Sequence, residues 1–483
     1  MRASRMGLAA MVVLAGLLVP VAPAAAGSRV LVVDDDGGQC ARAPYTRIQP
    51  AIDAARVGDT VRVCGGTYVG EVVVDKNVGL VAQVPAAPGT DCLGGGPVPA
   101  GSATIVGAVT VTGAGARLDG LVVTGAANGV TTSADAAGYQ IRRTVIEANG
   151  DFGIDLRSGG GQATVVERNC IRGNGVNGAI GGQAGIDADF ADLLDTTIRN
   201  NLLTGNTEAI SVSGPHTYSN ISIAGNSLRG EGIVVAGVVG SEIRRNDIDN
   251  TGSGAFGVHL GGGNVGLTVA GNSIVGAFPG LRICSWCTND LRAEPNVGMW
   301  IAANTIRNST GTGITTLVPN DAAPIQLTRS VIERNTITGG PASGIALNSS
   351  AVGNTLVGNT SSGNARGINL AGATGTVVLR NTLTGNTIVD ARDTAPDQNT
   401  WIGNRCATDD PAGRLCVPVR PPAAGPAASP LASAMIPAAP AVDRSRRSCL
   451  RVPVWDVDPV DGGAWVMIPV VAPDAPAGTL CGA

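Results

Sequence analysis

Two side chains suited to acid–base chemistry occupy the same position in two matching four-residue words. His259 lies in the word GVHL at 257–260, and Arg282 lies 23 residues later in GLRI at 280–283. An imidazole can accept a proton, and a guanidinium can pair with a uronic acid carboxylate while the neighbouring proton is removed. Arginine also favours the neutral imidazole by charge repulsion. We therefore predict His259 and Arg282 as catalytic residues; an ordinary exposed histidine is the alternative.

Acidic side chains occupy the same position in earlier copies of the word. Asp155 and Asp187 are the third residues of their words, and Asp189 follows two residues later. If the words stack as neighbouring strands, the first two lie about 5 Å apart. Carboxylates at that separation could share a calcium ion or raise each other's pKa. We predict all three as ligand-binding residues, with Asp155 and Asp187 as the candidate calcium ligands. Exposed surface acids are the alternative.

The words recur along the middle of the chain. Each reads Gly, then Ile or Val, then any residue, then an apolar one. Their aliphatic second residues are Val130, Ile154, Ile186, Ile210, Ile233, Val258, Leu281, Ile314, Ile345, Ile368 and Val389. A period of about 24 residues, with short alternating segments between Gly, Asn, Ser and Thr turns, is typical of a parallel β-helix. The second residue then points into the coil and the third points out, so the outward column runs from Thr131 to Asp390.

A second word, Asn-x-Ile/Leu, precedes most copies of the first. It begins at Asn169, Asn201, Asn226, Asn246, Asn272, Asn304, Asn335 and Asn381, while either Asn354 or Asn359 could fill the remaining slot. Asn tolerates unusual turn dihedrals and can both donate and accept. We predict a structural ladder of side-chain amides, not a catalytic set.

The ends of the solenoid need covers. Residues 46–55 place Ile48, Ala51, Ile52 and Ala55 on one helical face, which predicts an N-terminal capping helix. The β-helix is expected to occupy 27–416. Residues 417–448 are rich in Pro and Ala and predict a linker, and 449–483 predict a small disulfide-closed segment.

Composition and charge exclude several classes. Gly is 70 of 483 residues and charged residues are 14%, which excludes a coiled coil and a charge-rich disordered chain. Residues 1–26 carry Arg2 and Arg5, an apolar run and a small-residue site, and they predict a signal peptide. Without that segment the formal charge of −4 becomes −6, which gives no electrostatic reason to bind nucleic acid. We expect a secreted monomer with no membrane segment after signal removal.

Ten cysteines in an exported chain predict disulfides. The pairs suggested by position are Cys40–Cys64, Cys284–Cys287, Cys406–Cys416 and Cys449–Cys481, with Cys92 and Cys170 left over. For the CSWC pair at 284–287, a redox motif is disfavoured because no βαβ pattern surrounds it. A zinc site is disfavoured because the chain has two histidines and no second close cysteine pair.

These words resemble those of right-handed parallel β-helix proteins, the pectin-lyase-like superfamily, which includes periplasmic copper-maturation β-helix proteins and alginate C5-epimerases. The resemblance covers roughly residues 30–405 and implies an all-β, right-handed parallel β-helix. The epimerase word Y-G-[FI]-D-P-H is kept only in part, because 152–157 reads FGIDLR. Asp155 remains, but the tyrosine and histidine are missing. The words therefore imply the fold more than a particular chemistry.

We expect an exported β-helix protein that binds an extracellular polysaccharide and modifies it as a lyase or epimerase. Long turns flank one sheet, and Trp286 in the CSWC loop is predicted to contact the sugar. No cofactor is required beyond the candidate calcium. The alternative is a non-catalytic structural or adhesive protein. A copper-maturation partner is a third candidate, disfavoured because the chain has no Met- or His-rich tract.

Overall fold

The computed structural model describes residues 28–175, 183–285, 287, 293–317, 324–418, 449–456 and 464–471; of 417–418 and the last two ranges it describes the strands but not the side chains. The predicted signal peptide, the predicted linker from 419 onward, Trp286 and Cys481 lie outside the described residues. The chain divides into two units, Met1–Arg420 and Pro421–Ala483.

The first unit is a right-handed parallel β-helix. Each coil contributes a short strand to each of three parallel sheets, which we name A, B and C in the order the chain visits them. Sheet A contains Val30–Val33, Thr60–Val63, Gly79–Ala82, Arg117–Asp119, Gln140–Arg142, Thr164–Glu167, Leu193–Arg199, Tyr218–Ala224, Val238–Val239, Glu242–Arg244, Thr268–Ala270, Trp300–Ala302, Val331–Glu333, Thr355–Val357, Val377–Leu379 and Thr400–Ile402. Sheet B contains Gly66–Val69, Ala103–Val106, Val122–Thr124, Val145–Glu147, Cys170–Arg172, Leu202–Thr204, Ser227–Arg229, Asp247–Asp249, Ser273–Val275, Thr305–Arg307, Thr336–Thr338, Thr360–Ser362, Thr382–Thr384, Arg405–Cys406 and Val417–Pro418. Sheet C contains Val72–Val74, Val109–Val111, Asn128–Thr132, Phe152–Asp155, Ala184–Asp187, Glu208–Val212, Ile233–Val235, Val258–Leu260, Leu281–Ile283, Ile314–Thr316, Ser343–Asn348, Arg366–Ala371, Val389–Asp393 and Asp409–Asp410.

The repeated words form the strands of sheet C, as predicted. Their aliphatic residues align coil by coil from Val130 to Ile368 and are fully buried. The last coil differs from the prediction, because Ile368 pairs with Ala391 instead of Val389. Arg392 therefore takes the outward position in this coil, and Asp390 takes the position of the word's glycine. Asp410 continues the outward column on the next strand. The Asp390 carboxylate accepts hydrogen bonds from three backbone N–H groups of the adjoining turns.

The asparagine ladder is confirmed. Each ladder amide donates from Nδ2 to the Oδ1 of the next asparagine and to a backbone carbonyl, at 2.8–3.0 Å. Asn359 fills the slot that the sequence left open, and Asn404 extends the ladder by one coil. A second ladder runs through Asn149, Asn174 and Asn206 on the other side of sheet B.

A short helix covers the N-terminal end of the β-helix. The helix Ile48–Ala54 buries Ile48, Ala51 and Ile52 against the first coil. The strand Val30–Val33, which the sequence analysis did not predict, joins sheet A ahead of this helix.

Minor elements complete the fold. Short 3₁₀ turns lie at Ala87–Gly89 and Pro396–Gln398, and a small sheet joins Asn296–Val297, Leu327–Thr328 and Ala351–Val352. In the second unit, Cys449–Asp456 pairs antiparallel with Ala464–Val471.

Among the described residues, disulfides join Cys40 to Cys64, Cys284 to Cys287 and Cys406 to Cys416, as the positions suggested. Cys92 and Cys170, which the sequence left unassigned, are also joined and pack with Val122 and Val145 beside sheet B. The predicted partner of Cys449 lies outside the described residues. Within the described ranges there is no helix with the length and apolar character needed to cross a bilayer.

Candidate functional site

The predicted site residues stand side by side on the outward face of sheet C. Asp155 pairs in register with Asp187, and His259 pairs with Arg282. We call one part of the outward column the outward row. In coil order it consists of Asp155, Asp187, Ser211, Val234, His259 and Arg282. The register that places these side chains together follows directly from the repeated words.

Most of the outward row is buried although its side chains point away from the core, and Arg282 is half-buried. Asp187 is 0% exposed, and Asp155 and His259 are each 2% exposed. The ring of Phe256 covers part of the row, with its centroid 5.5 Å from that of His259 and 4.8 Å from the Arg282 guanidinium carbon. The expectation of ordinary exposed acids on this face is therefore wrong. The row is also not an open groove floor on which a polymer could lie.

His259 and Arg282 are hydrogen-bonded to each other. Arg282 Nη2 donates to His259 Nδ1 over 2.6 Å. Because Nδ1 accepts this bond, the single proton of the neutral ring sits on Nε2. Burial, with the adjacent Arg282 charge, lowers the pKa of His259 to about 3, and the Cys284 carbonyl opposes this weakly. The ring is thus neutral, but its lone pair is already engaged. This arrangement does not favour His259 as the base in a proton abstraction.

Asp155 and Asp187 differ in their hydrogen-bond partners although they are neighbours. Both oxygens of Asp155 are bound by Arg157, at 2.9 and 2.6 Å. Asp187 has no such partner: its Oδ2 accepts from the Asp189 backbone N–H, and its Oδ1 is buried without a hydrogen bond. Burial, followed by the charges of Asp189 and other nearby acids, raises the pKa of Asp187 to about 9. For the calcium site predicted from the sequence to form, Arg157 would have to leave Asp155 and Asp187 would have to lose its proton.

Asp189 and Glu208 extend the acidic part of the site, and Glu231 lies beside Asn206 of the second ladder. The Asp189 carboxylate accepts from Ser211 Oγ, from Ser213 Oγ and from the Ser213 backbone N–H. Burial and the Asp189 charge raise the pKa of Glu208 to about 7, and burial raises that of Glu231 to about 8. The sequence analysis missed both glutamates because they precede the repeated word instead of lying within it.

A cluster of metal-ligand atoms lies at the Arg282 end of the outward row. One nitrogen of His259 and the sulfurs of Cys284 and Cys287 all lie within 4.8 Å of one another. Cys284 directly follows the sheet C strand of Arg282, and its backbone N–H donates to the Leu260 carbonyl of the His259 strand. The two sulfurs form a disulfide in this structure.

A row of arginines lies on another edge, at the turn between sheets A and B. We call Arg168, Arg245, Arg334 and Arg380 the arginine row. Each directly follows a sheet A strand, precedes a ladder asparagine, is exposed and has a φ of 50–57°. Arg334 approaches Glu333 at 3.5 Å; the other three side chains form no ion pair or hydrogen bond with any described residue. In the sequence, the signal for the arginine row is an arginine directly before a ladder asparagine. The sequence analysis used only the asparagine of that pair.

The family model described as "Periplasmic copper-binding protein (NosD)" matches residues 101–279 and 287–409. The chain belongs to the NosD family. No curated protein matches it. Among solved structures, the mannuronan C-5 epimerase AlgE6 A-module of Azotobacter vinelandii shares 15% identity over 77% of this chain and 90% of its own, with a TM-score of 0.38. The Dettilon tailspike protein shares 14% over 78% and 68%, with a TM-score of 0.40, and pectate lyase Pel9A shares 14% over 73% and 76%, with a TM-score of 0.27. These similarities are too low to indicate what the chain binds or does.

The copper in the NosD family's description calls for soft ligands, since thiolate sulfur and imidazole nitrogen are the donors that Cu(I) prefers. Among the described residues, His259, Cys284 and Cys287 bring these atom types together. The two sulfurs form a disulfide and Arg282 holds His259 Nδ1, so the set does not fit Cu(I) in this state. The carboxylates of the outward row and the guanidinium groups of the arginine row do not suit Cu(I) either.

Proposed function

We propose that this protein binds an acidic extracellular polysaccharide along the arginine row. The observation that carries the proposal is a straight line of exposed, mostly unpaired guanidinium groups on a chain whose formal charge is −4. Guanidinium groups pair well with carboxylates because their planar fork matches both oxygens. A chain with no general positive field can hold a polyanion only through such a local array.

The spacing of the arginine row supports an extended polymer as the partner. Three coils separate Arg168 from Arg245, three separate Arg245 from Arg334, and two separate Arg334 from Arg380. At about 4.8 Å per coil these steps are about 14, 14 and 10 Å, and the whole row is about 38 Å long. A linear polyuronate carries carboxylates along its entire length, so it can meet every arginine at once.

The coils between the arginines leave the path open. Their residues at the same turn position are mostly glycine or alanine, so few side chains stand between the arginines; they are Asn200, Gly225, Gly271, Ala303 and Gly358. Trp300, on the sheet A strand just before Ala303, is 41% exposed. An exposed Trp offers a rigid apolar face of the kind enriched at binding surfaces. A sugar ring could stack there, between Arg245 and Arg334.

Neighbouring acids leave most of the arginine row unpaired, with Arg334 beside Glu333 as the exception. Glu167 is shared by Arg142 and Arg199, at 3.4 and 2.7 Å, so one acid there serves two other arginines. Glu242 pairs with Arg244 at 2.7 Å.

The proposed activity is binding without turnover at His259, because that residue is buried and its Nδ1 lone pair is engaged. Polysaccharide binding distinguishes the proposal from a purely structural or adhesive β-helix. The predicted signal peptide, together with the disulfides, supports a role outside the cytoplasm.

The test is binding of polygalacturonate and alginate to the full chain, with neutral dextran as a control polymer. Replacing all four row arginines by Gln should weaken binding. At about 0.5–1 kcal/mol per exposed charge pair, the loss is about 2–4 kcal/mol, or about 30-fold to nearly a thousandfold. The matched control replaces four exposed arginines off the row: Arg47, Arg62, Arg307 and Arg405. Equal losses in the two variants, or equal binding of dextran, would refute the proposal.

A further inference from the structure

We propose that the arginine row prefers acidic polysaccharides whose carboxylates are separated by uncharged, N-acetylated sugars. The observation behind this is an apolar surface beside Arg380, which we call the apolar strip. It consists of the outward side chains of the last three sheet A strands: Thr355, Val357, Val377, Leu379, Thr400 and Ile402. The inference rests on the proposed function, because it names the acidic polymer that the same site prefers.

The apolar strip borders the arginine row directly. Val357, Leu379 and Ile402 are aligned in register, and each is the last residue of its strand. Leu379 directly precedes Arg380, while Val357 and Ile402 lie one coil to either side. Side chains alternate along a strand, so these three face outward whereas Val378 is fully buried. Ile402 is 51% exposed, and Val357 and Leu379 are half-buried. A polymer held at Arg380 therefore passes along the apolar strip.

The other end of the same sheet face is charged. There Glu167 pairs with Arg142 at 3.4 Å and with Arg199 at 2.7 Å. The apolar strip carries no charged side chain. A carboxylate placed over it would lose water without gaining a partner, which is unfavourable. A methyl group placed there would instead gain free energy by burial. The sugars that lie over the strip should therefore be uncharged.

The spacing of the arginine row favours the same kind of polymer. Its arginines are about 14, 14 and 10 Å apart at about 4.8 Å per coil. A homopolyuronate carries a carboxylate on every sugar, so the charges that fall between the arginines would have no counter-charge on the protein. A polymer with uncharged sugars between its uronates keeps the charge pairs and avoids placing carboxylates over the apolar strip.

The two threonines of the apolar strip favour an acetamide as the uncharged group. Thr400 is exposed and Thr355 is half-buried, and neither hydroxyl forms a hydrogen bond with a described residue. A threonine hydroxyl can both donate and accept. An N-acetyl group matches both properties, because its N–H donates and its carbonyl oxygen accepts. Its methyl group can pack against Leu379 and Ile402. A methyl ester has no donor and would use the hydroxyls less fully.

A second copy of this chain fits the apolar strip less well. In a symmetric dimer the two strips would face each other, and neither carries an acid that could pair with the bordering Arg380. Burying a guanidinium group without a partner is costly. A polysaccharide supplies the missing carboxylate.

The experiment compares hyaluronan, in which glucuronate alternates with N-acetylglucosamine, with polygalacturonate of the same chain length. Isothermal titration calorimetry measures the binding of each polymer to the full chain in one buffer. Hyaluronan should bind about fourfold to fifteenfold more tightly, which corresponds to one or two buried methyl groups. Saturation-transfer difference NMR on short hyaluronan chains needs no variant, and the N-acetyl methyl protons should receive the most saturation.

The double variant Leu379→Ser/Ile402→Ser should remove the preference for hyaluronan. The matched control Val57→Ser/Val69→Ser replaces aliphatic residues off the strip that are 73% and 81% exposed, and it should keep the preference. If neither polymer binds, the arginine row itself is refuted. If polygalacturonate binds and hyaluronan binds no more tightly, or the methyl protons receive no more saturation than the ring protons, this inference fails while the proposed function stands. A dimer in light scattering that the double variant dissociates would also overturn it.

Discussion

The asparagine ladder makes the fold's stability testable at a single amide. Asn272 lies mid-ladder, where its Oδ1 accepts from the N and Nδ2 of Asn246, both at 3.0 Å. Its Nδ2 donates to the Ile243 carbonyl at 3.0 Å and to Asn304 Oδ1 at 2.9 Å. Asn272→Ala removes all four hydrogen bonds at a position that is 1% exposed. At about 1 kcal/mol each, the variant should lose about 4 kcal/mol of unfolding free energy.

Equilibrium urea unfolding followed by circular dichroism measures this loss. Ser273→Ala is the matched control, because Ser273 is the next residue, is half-buried and starts a sheet B strand. Its replacement should change the unfolding free energy by no more than about 0.5 kcal/mol. A loss in Asn272→Ala as small as that of the control would refute the ladder as a main source of stability.

Three further predictions concern sheet C and its outward row. Ile233→Asp and Val234→Asp should both lower the melting temperature strongly, because each buries a carboxylate without a partner, whereas exposed Val73→Asp should be nearly neutral. The folded-state pKa of Asp187, about 9, exceeds its ordinary value of 3.8, so the folded chain keeps a proton that the unfolded chain loses above about pH 4. Stability should therefore fall as pH rises between about 4 and 9, and thermal melts of Asp187→Asn should show a flatter profile. Millimolar calcium should leave the wild-type melting temperature at pH 7 unchanged, because Asp187 holds a proton and Arg157 occupies Asp155; a rise that Asp187→Asn abolishes would establish the calcium site instead.

The repeat made most of the fold predictable from the sequence. Because each coil is a short copy of the last, one recurring word fixed which residues face the core, and one recurring asparagine fixed the ladder. The predicted register was wrong at the last copy of the word, where Asp390 takes the place of the glycine. There Ile368 pairs with Ala391, two residues after the predicted Val389. The prediction also missed the strand Val30–Val33, since a strand that precedes the capping helix lies outside the repeat.

The environment of the site was less predictable, because it depends on parts of the coil that do not repeat. The register placed His259 beside Arg282 correctly. It could not show that Phe256 covers them, because that ring lies just before its word, at a position whose residue type varies from coil to coil. Burial then changed the chemistry, since the pKa of His259 falls while that of Asp187 rises. The same applies to Cys284 and Cys287, whose closeness to His259 comes from a turn specific to one coil.

The salt dependence of polyuronate binding tests the central claim most directly. If four arginines hold the polymer, counterion release should make the dissociation constant rise with sodium chloride, with a log–log slope of about 3. In the variant with all four row arginines replaced by Gln that slope should fall close to zero, while the control variant at Arg47, Arg62, Arg307 and Arg405 should keep it. A slope that survives loss of the arginine row, or that disappears equally in the control, would contradict the account.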